Sequence, residues 1–210
     1  MILNLRRYSY LIRVLNEGEL PMNPIKLFSD WFGFIDSKRT ELEPNAMSLS
    51  TVNKDNTPTT RIVLLKKFSK EGFVFFTNYN SRKGQAIKNN PNVSLSFFWP
   101  STEQQVIISG IASKLDEIDS ENYFNSRPIG SQLGAIVSNQ SEVIKSRDIL
   151  ENKMTELKLS KTNVIRPKNW GGYNVSPFSI EFWQGRDNRL HDRILYKKEN
   201  DIWNYVRLSP

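Results

Sequence analysis

The sequence predicts a mainly β protein with packing helices, in which antiparallel strands form a barrel or a meander. Short runs of β-branched and aromatic residues recur along the chain after Pro44, a pattern typical of strands. The breaks between the early runs, at residues 53–58 and 69–72, are short and rich in turn-forming residues. Because parallel strands need long crossover connections, these short breaks favour antiparallel hairpins.

The helices and strands follow one another in a clear order. A first helix is predicted at residues 23–35, because apolar side chains recur there at helical spacing and Pro24 suits a first helical turn. Strands are predicted at residues 47–52, 60–66, 73–77, 93–99 and 106–114, and a helix is predicted to start near Gln85. Helices at 116–125 and 141–159, a loop at 160–169, strands at 173–175, 179–184, 193–197 and 203–208, and a turn at 199–201 complete the chain.

Length and composition indicate one folded core. The chain has 210 residues, of which 38% are hydrophobic and 24% charged, which is ordinary for a globular protein. It has no cysteine, which excludes disulfides, a thiolate metal site and a cysteine nucleophile, and we predict no metal ion. A reducing compartment fits this composition, so we expect a cytoplasmic protein.

The first fifteen residues do not predict a secretory signal, because Arg13 interrupts their only apolar stretch. No run approaches the roughly 18 apolar residues of a membrane-spanning helix, so we expect no membrane contact. The formal net charge of +7 then indicates either nucleic acid or anionic small molecules as ligands.

Two basic segments are candidate anion sites. Residues 61–66 form an apolar run with Arg61 and Lys66 at its ends, and strand alternation places these two cations on opposite faces. A core strand with solvated ends is the alternative. In residues 77–84, a strand ends in a polar loop before a helix, where backbone N–H groups, a serine hydroxyl and the cations Arg82 and Lys83 suit a phosphate. A solvated basic turn explains the same residues.

A third segment, residues 181–193, holds the only histidine of the chain. If residues 189–193 are extended, Arg189, His191 and Arg193 share one cationic face. Like charge on both sides disfavours the imidazolium, so we expect a neutral ring. A purely structural histidine is the alternative. Gln140 and Ser141 are expected at a helix start, where Ser141 would be a simple cap.

Taken together, these segments resemble the pyridoxine/pyridoxamine 5′-phosphate oxidase family over residues 24–210. The matching motifs are Arg61-Ile62-Val63-Leu64-Leu65-Lys66, Thr77-Asn78 with Ser81-Arg82-Lys83, Tyr123-Phe124 through Ser126-Arg127-Pro128, Trp170-Gly171-Gly172-Tyr173, and Glu181-Phe182-Trp183-Gln184-Gly185 with Arg189-Leu190-His191-Asp192-Arg193.

The resemblance implies a split β-barrel homodimer that binds FMN and oxidises pyridoxamine 5′-phosphate and pyridoxine 5′-phosphate with O₂ to pyridoxal 5′-phosphate. It also implies an N-terminal arm or lid at residues 1–22 before a single FMN-binding domain at 23–210. The implied FMN contacts are Arg61, Ile62, Val63, Leu64, Leu65, Lys66, Phe76, Thr77, Arg82, Lys83, Gln105, Gln140, Ser141, Trp183 and Arg193. The implied substrate contacts are Lys66, Tyr123, Arg127, Ser131, Arg189, Leu190 and His191, with Arg189 and His191 as the catalytic pair.

Several positions depart from the family pattern. Glu43 stands where an aspartate is expected, Phe76 where a tyrosine is more usual, and Arg186 where a small residue is expected. None of these departures removes a phosphate ligand. In the arm, Arg6 matches a substrate-covering arginine, whereas Tyr8 and Tyr10 are both candidates for the tyrosine that accompanies it.

Other functions are also compatible with the sequence. Another split-barrel flavin protein, such as a phenazine-pathway oxidase or a flavin reductase, would share the fold. A nucleic-acid-binding protein would use the charge and the aromatic residues in a basic groove. A non-catalytic protein that holds pyridoxal phosphate is a third alternative. The retained substrate residues favour the oxidase, which predicts small-molecule substrates and no nucleic-acid partner.

Overall fold

A computed structural model describes residues 14–160 and 163–210. The predicted arm residues Arg6, Tyr8 and Tyr10 lie outside these ranges. The helices are α1 Pro24–Lys38, α2 Arg82–Asn89, α3 Glu117–Ser126, α4 Ile129–Val137 and α5 Asp148–Leu159, with short 3-10 helices at Glu17–Glu19 and Asp187–Arg189. The strands are β1 Ala46–Val52, β2 Pro58–Leu64, β3 Lys67–Ser69, β4 Gly72–Asn78, β5 Asn92–Trp99, β6 Gln104–Lys114, β7 Trp170–Gln184, β8 Asp192–Glu199 and β9 Ile202–Arg207.

Within the described ranges the strands form one sheet, in the order β2-β1-β5-β6-β7-β4-β3, with β8 paired to β7 and β9 to β8. The pairs of known register, β3 with β4, β4 with β7, β7 with β8 and β8 with β9, are all antiparallel, as predicted. The chain divides into two compact units. Of the described residues, the first unit comprises 14–47, 95–109 and 177–210, and the second comprises 48–94, 110–160 and 163–176.

The core of the first unit is aromatic. Helix α1 begins after Asn23, whose side chain accepts a hydrogen bond from the backbone N–H of Ile25, so the predicted helix start is confirmed. Phe28 meets Phe97 of β5 with ring centroids 5.2 Å apart, and Trp31 meets Phe182 of β7 at the same distance. Edge-on contacts of this kind add to the stabilisation that comes from burial alone.

The core of the second unit lies between β4 and β7. Phe73 and Phe75 of β4 and Val175 of β7 are completely buried, and Phe75 stacks on Tyr173. The continuous apolar run of β4 is buried on both faces, which explains why its sequence lacks a polar alternation.

Some predicted elements are wrong in extent. Residues 173–175 and 179–184, predicted as two strands, belong to the single strand β7. The proline between them, Pro177, is tolerated because it falls between the stretch that pairs with β4 and the stretch that pairs with β8. The predicted helix at 141–159 forms only as α5, from Asp148. Helix α4 was not predicted, since Gly130, Gly134 and its β-branched residues give it low helix propensity.

Candidate functional site

A large cavity lies within the second unit and has a volume of about 1040 Å³. This is at the upper end of the roughly 300–1,000 Å³ of small-molecule sites. Five of the described residues that line it are cations and none is a carboxylate, so the cavity is built for anions. The lining residues are Thr59, Thr60, Arg61, Ile62, Val63, Leu64, Lys66, Phe76, Thr77, Asn78, Arg82, Lys83, Tyr123, Arg127, Pro128, Ser131, Gly134, Ala135, Ser138, Gln140, Ser141 and Trp170.

Arg61 is held rigidly at one side of this cavity. Its Nη1 donates to the Leu49 carbonyl oxygen at 3.1 Å and to Thr51 Oγ1 at 2.8 Å, and its Nη2 donates to Thr59 Oγ1 at 2.7 Å. These acceptors are all neutral. Burial lowers the pKa of Arg61 from its ordinary value, and the guanidinium keeps its full charge for a ligand.

Lys83 is buried beside Arg61, and no carboxylate neutralises it among the described lining residues. Its Nζ donates to Thr77 Oγ1 at 3.2 Å, to Ser81 Oγ at 3.3 Å and to Gln140 Oε1 at 3.1 Å. Burial, and secondarily the positive charge of Arg61, lower the pKa of Lys83 from 10.5 to about 8. An anion placed between these two cations would relieve both effects.

The start of α2 positions Lys83 and Arg82. Ser81 caps the helix by accepting a hydrogen bond from the Gly84 N–H, so the helix begins three residues earlier than predicted. Ser81 is fully buried and does not line the cavity. Position 84 requires glycine, because a Cβ there would lie 2.1 Å from the Tyr79 carbonyl oxygen.

The serine hydroxyl that lines the cavity at this helix start is that of Ser141, whose Oγ accepts a hydrogen bond from the Arg82 N–H at 3.3 Å. The prediction that Ser141 caps a helix is wrong. Ser141 has a positive φ of 79° and lies in a non-helical segment. Its neighbour Gln140 accepts from Thr77 Oγ1 at 3.1 Å as well as from Lys83. These long-range hydrogen bonds override the helical pattern of residues 141–147.

An aromatic group forms another part of the cavity wall. The Phe76 ring stacks on Tyr123 with centroids 3.8 Å apart, and the rings of Tyr123 and Trp170 are parallel within 5°. The Arg127 guanidinium lies over the Trp170 ring at 4.6 Å, which is a cation–π contact. Burial lowers the pKa of Arg127.

The Nη1 atom of Arg127 is buried and has no hydrogen-bond partner within the described part of the chain. A buried donor of a charged group that lacks an acceptor is costly unless a ligand supplies one. Because Arg127 also lines the cavity, this atom is a candidate contact for an anionic group. The donors present therefore fit a phosphate ester such as that of FMN or of a phosphorylated substrate.

The cavity brings together most of the residues predicted for the site. Strand alternation predicted that Arg61 and Lys66 lie on opposite faces, but both line the cavity. Alternation does not apply to Lys66, because β2 ends at Leu64. Leu65 is buried and not part of the lining. The predicted residues in the lining are Arg61, Ile62, Val63, Leu64, Lys66, Phe76, Thr77, Arg82, Lys83, Tyr123, Arg127, Ser131, Gln140 and Ser141.

The remaining predicted residues belong to the first unit: Gln105, Trp183, Arg189, Leu190, His191 and Arg193. There the His191 and Trp183 rings lie 4.8 Å apart between centroids. The Nδ1 atom of His191 accepts a hydrogen bond from the Arg186 backbone N–H at 3.0 Å. An Nδ1 that accepts a hydrogen bond carries no proton, so this contact selects the tautomer with its N–H at Nε2.

The predicted common face of Arg189, His191 and Arg193 is wrong. Arg189 lies in the 3-10 helix Asp187–Arg189 with φ of 64°, and the extended strand β8 begins only at Asp192. Alternation therefore does not reach Arg189. Arg193 is paired with Glu181, its Nε donating to Oε1 at 2.8 Å, and this hydrogen bond raises the pKa of Arg193.

Sequence reasoning assigned no individual role to several residues of the cavity. Trp170 stood in a recognised motif, but its position under Arg127 could not be seen from spacing. Ser138, Gly134 and Ala135 lie in or just after α4, which was not predicted. A glycine-containing apolar segment between Arg127 and Gln140 was the available signal for that part of the wall.

The described ranges offer neither a membrane-crossing helix nor a metal-binding cluster. None of their helices is long and apolar enough to cross a membrane. They contain no group of three or more histidine, aspartate or glutamate side chains that could hold a metal ion.

Comparisons with known proteins agree with this chemistry. Residues 36–161 match the family model described as pyridoxamine 5′-phosphate oxidase. Residues 170–210 match the model described as the pyridoxine 5′-phosphate oxidase C-terminal dimerisation region. The chain is 56% identical over 206 residues to the pyridoxine/pyridoxamine 5′-phosphate oxidase of Flavobacterium johnsoniae, covering 97% of this chain and 96% of that protein. It is 50% identical over 206 residues to the enzyme of the same name from Leptospira biflexa, covering 97% of each.

Solved structures share the fold. A crystal structure of PhzG from Burkholderia lata, in complex with tetrahydrophenazine-1-carboxylic acid, has a TM-score of 0.91 at 28% identity and covers 97% of this chain and 100% of that one. A pyridoxamine 5′-phosphate oxidase-related, FMN binding protein from Nostoc punctiforme has a TM-score of 0.72 at 15% identity, covering 91% and 100%. The predicted fold class, an antiparallel split β-barrel with packing helices, is confirmed.

Proposed function

Because the chain belongs to the pyridoxamine 5′-phosphate oxidase family, we propose that it oxidises pyridoxamine 5′-phosphate and pyridoxine 5′-phosphate to pyridoxal 5′-phosphate, with FMN as cofactor and O₂ as electron acceptor. The observation that carries this proposal is the cavity of the second unit, whose described lining has five cations and no carboxylate. The cofactor and the substrate each bear one phosphate ester, and each ester needs its own cationic contacts.

The FMN phosphate belongs, in this proposal, to Arg61, Arg82 and Lys83. Lys83 and Arg61 are neighbours whose charges repel, and only neutral oxygens hold Lys83, so a dianion stabilises both. Gln140 and Ser141 border the same place through their contacts with Lys83 and Arg82. When bound, FMN supplies the acceptor for the hydride that leaves C4′ of the substrate and passes the electrons to O₂, which gives H₂O₂.

Further FMN contacts are part of the proposal because of the family resemblance. They are Ile62, Val63, Leu64, Leu65, Lys66, Phe76, Thr77, Gln105, Trp183 and Arg193. Arg193 is already held within the chain, because Nε and Nη2 pair with Glu181 and Nη1 donates to the Ser209 carbonyl oxygen at 3.0 Å. These contacts fix the orientation in which its guanidinium would meet FMN.

The substrate phosphate belongs to Arg127, Ser131, Tyr123 and Lys66. The unpartnered Nη1 of Arg127 is the donor that most clearly calls for a ligand acceptor. Arg127 is already immobilised on the Trp170 ring, so little side-chain entropy is lost when the phosphate arrives. Lys66 lies beyond the end of β2, where its side chain is exposed and within the same cavity.

Arg189, Leu190 and His191 are assigned to the substrate ring, with Arg189 and His191 as catalytic residues. The contact between Nδ1 of His191 and the Arg186 N–H leaves Nε2–H as the outward group of the ring. In this proposal His191 donates that hydrogen bond to the phenolic oxygen of the substrate and does not accept a proton. Arg189 can lay its planar guanidinium against the pyridine ring.

The quaternary structure and cellular setting extend the proposal. A homodimer is supported by the match of residues 170–210 to a dimerisation region. We propose that the arm at residues 1–22 serves as a lid and that residues 23–210 act as one FMN-binding domain. We also propose that the protein acts in the cytoplasm and that its net charge of +7 serves phosphorylated small molecules and not nucleic acid.

A phenazine-type oxidase is the alternative to be tested, because the PhzG structure shares the fold at 28% identity. The ligand named for that structure carries a carboxylic acid and no phosphate. A carboxylate can pair with Arg127 as a phosphate can, so the charge of the cavity does not separate the two ligands. The 56% identity to a named oxidase over 97% of this chain favours the vitamin B6 substrates.

Aerobic turnover tests the proposed function. Protein reconstituted with FMN is incubated with pyridoxamine 5′-phosphate, pyridoxine 5′-phosphate or unphosphorylated pyridoxamine, and the formation of pyridoxal phosphate and peroxide is followed together. With either phosphorylated substrate, we expect pyridoxal phosphate and peroxide to form in equal amounts. For unphosphorylated pyridoxamine, we expect a far lower kcat/KM. Turnover that does not depend on the substrate phosphate would refute the assignment of Arg127.

A further inference from the structure

Arg166 is a buried arginine outside the cavity, and it connects two elements of the second unit. Its side chain is only 6% exposed. The Nη1 atom donates to the Trp170 carbonyl oxygen at 2.6 Å, and Nε donates to Glu121 Oε2 at 2.9 Å. The Nη2 atom donates to the carboxylate of Glu117. One guanidinium thus holds three acceptors.

These acceptors belong to two separate stretches of the chain. Glu117 and Glu121 are one turn apart on α3, whereas Trp170 is the first residue of β7. The three donor atoms are fixed in one plane, so the guanidinium sets both a distance and an orientation between the helix and the strand. A lysine ammonium also has three N–H donors, but they share one nitrogen on a flexible side chain, so a lysine would not fix this planar arrangement.

Both elements joined in this way support Arg127. Arg127 is the C-cap residue of α3, and its backbone N–H donates to the Phe124 carbonyl oxygen at 3.2 Å. Its guanidinium rests on the Trp170 ring at 4.6 Å. Since Nη1 of Arg127 has no hydrogen-bond partner in the described ranges, the helix end and the ring beneath it are what position this atom.

We propose that Arg166 is a positioning residue for phosphate binding: by fixing Trp170 against α3 it sets the place of Arg127 in the cavity. This inference rests on the proposed function for the identity of the phosphorylated ligand. Arg166 does not line the cavity itself, so it acts through Trp170 and α3 and not by contact with the ligand. Its effect should therefore be confined to ligands that carry the substrate phosphate.

The solvent exposure of the partners makes this testable by substitution. The Glu117 and Glu121 side chains are 82% and 43% exposed, so both carboxylates can be hydrated when Arg166 is replaced. The Arg166→Met variant then loses the link without leaving a buried, unpaired charge. Arg147→Met is the matched control, because Arg147 forms an exposed ion pair with Glu151 on α5 of the same unit.

The experiment compares the FMN-loaded wild type, Arg166→Met and Arg147→Met. For Arg166→Met we expect KM for pyridoxamine 5′-phosphate to rise roughly tenfold, as is usual when an outer residue that orients a ligand-binding group is lost. The inhibition constant of pyridoxal 5′-phosphate should rise in parallel, and that of unphosphorylated pyridoxal should not change. kcat should stay within about twofold of the wild type, because the hydride-transfer groups are untouched. FMN content should be unchanged, and Arg147→Met should match the wild type throughout.

A second variant covers the case in which Arg166→Met does not fold. Glu121→Gln weakens the same link from the side of α3 and should raise KM in the same direction by a smaller factor, with FMN content intact. Equal effects on pyridoxal and its phosphate, a joint fall of kcat, FMN content and melting temperature, or no change at all would each overturn the inference. If the wild type itself does not oxidise pyridoxamine 5′-phosphate, the proposed function fails instead.

Discussion

The protonation of Lys83 predicts that the affinity for FMN falls as pH rises through the pKa of this side chain. In the flavin-free protein, burial and the nearby Arg61 lower the pKa of Lys83 to about 8. A bound phosphate dianion favours the ammonium form and returns this pKa toward its ordinary value. FMN binding above pH 8 must then be accompanied by proton uptake, and its affinity falls as pH rises.

The size of the effect follows from the pKa. With a pKa of about 8, the protonated fraction of Lys83 drops from about 0.9 at pH 7 to about 0.1 at pH 9, so Kd for FMN should rise about tenfold. The FMN phosphate remains a dianion over this range, since its second pKa is about 6. The stability of the flavin-free protein depends on pH in the opposite sense to FMN affinity. Between pH 8 and 10.5 the unfolded chain binds more protons, so the flavin-free protein gains stability as pH rises.

Fluorescence titrations of the flavin-free protein with FMN at pH 7, 8 and 9, at one ionic strength, measure this slope. Riboflavin lacks the phosphate and should bind more weakly with no comparable slope. Lys83→Met should bind FMN weakly and independently of pH, whereas Lys88→Met, an exposed lysine of the same helix, should behave as the wild type. A slope that persists in Lys83→Met, or is absent from the wild type, refutes the assignment.

Three further predictions concern single substitutions. Arg127→Ala should raise KM for pyridoxamine 5′-phosphate roughly 10–100-fold with little change in kcat or FMN content, because a charge-assisted hydrogen bond contributes about 1.5–3 kcal/mol to binding; steady-state kinetics check this, and loss of FMN at normal KM would contradict it. Arg189→Ala should lower kcat/KM about 100-fold or more with an intact flavin spectrum, since misplacement of the reacting centre is costly; an unchanged rate of anaerobic flavin reduction would count against it. Gly84→Ala should destabilise the fold by about 1–3 kcal/mol in denaturant unfolding, because its Cβ would meet the Tyr79 carbonyl oxygen at 2.1 Å. Gly33→Ala, with nothing within 4 Å, is the control, and equal stability of the two variants would contradict the argument.

Elements with a strong local signal were predicted well. Helix α1 has an Asn23 cap, Pro24 at its first position and a regular apolar face, so local chemistry and core packing agree. Strand β4 is an apolar run long enough for a buried strand and too short for a helix. The antiparallel arrangement also followed from the short turns between strands.

Elements that depend on distant contacts were not predicted. The segment that leads from α4 to α5 has a helical pattern, but Gln140 and Ser141 instead bind Lys83 and Arg82, nearly sixty residues away in sequence. Helix α4 contains two glycines and no cap side chain, so its intrinsic helix propensity is poor. It therefore forms because of its packing in the fold, which the local sequence does not reveal. The turn at Arg189 depends on a positive φ that an arginine rarely adopts.

The site was predictable by residue type more than by geometry. Motifs identified the cations Arg61, Lys66, Arg82, Lys83 and Arg127, which the structure gathers in one cavity. Spacing could not reveal that Lys83 lacks a carboxylate partner in the described lining, or that the Arg127 guanidinium rests on an indole ring. Those features depend on side chains from distant parts of the sequence and become visible only when the fold is known.

The anaerobic half-reaction tests the central claim most directly. FMN-loaded protein is mixed with pyridoxamine 5′-phosphate in the absence of oxygen, while flavin absorbance and pyridoxal 5′-phosphate are followed together. We predict complete bleaching of the oxidised flavin, with one pyridoxal 5′-phosphate formed per flavin, and recovery of the absorbance on admission of O₂. A flavin spectrum that stays oxidised in the presence of saturating substrate would contradict the account.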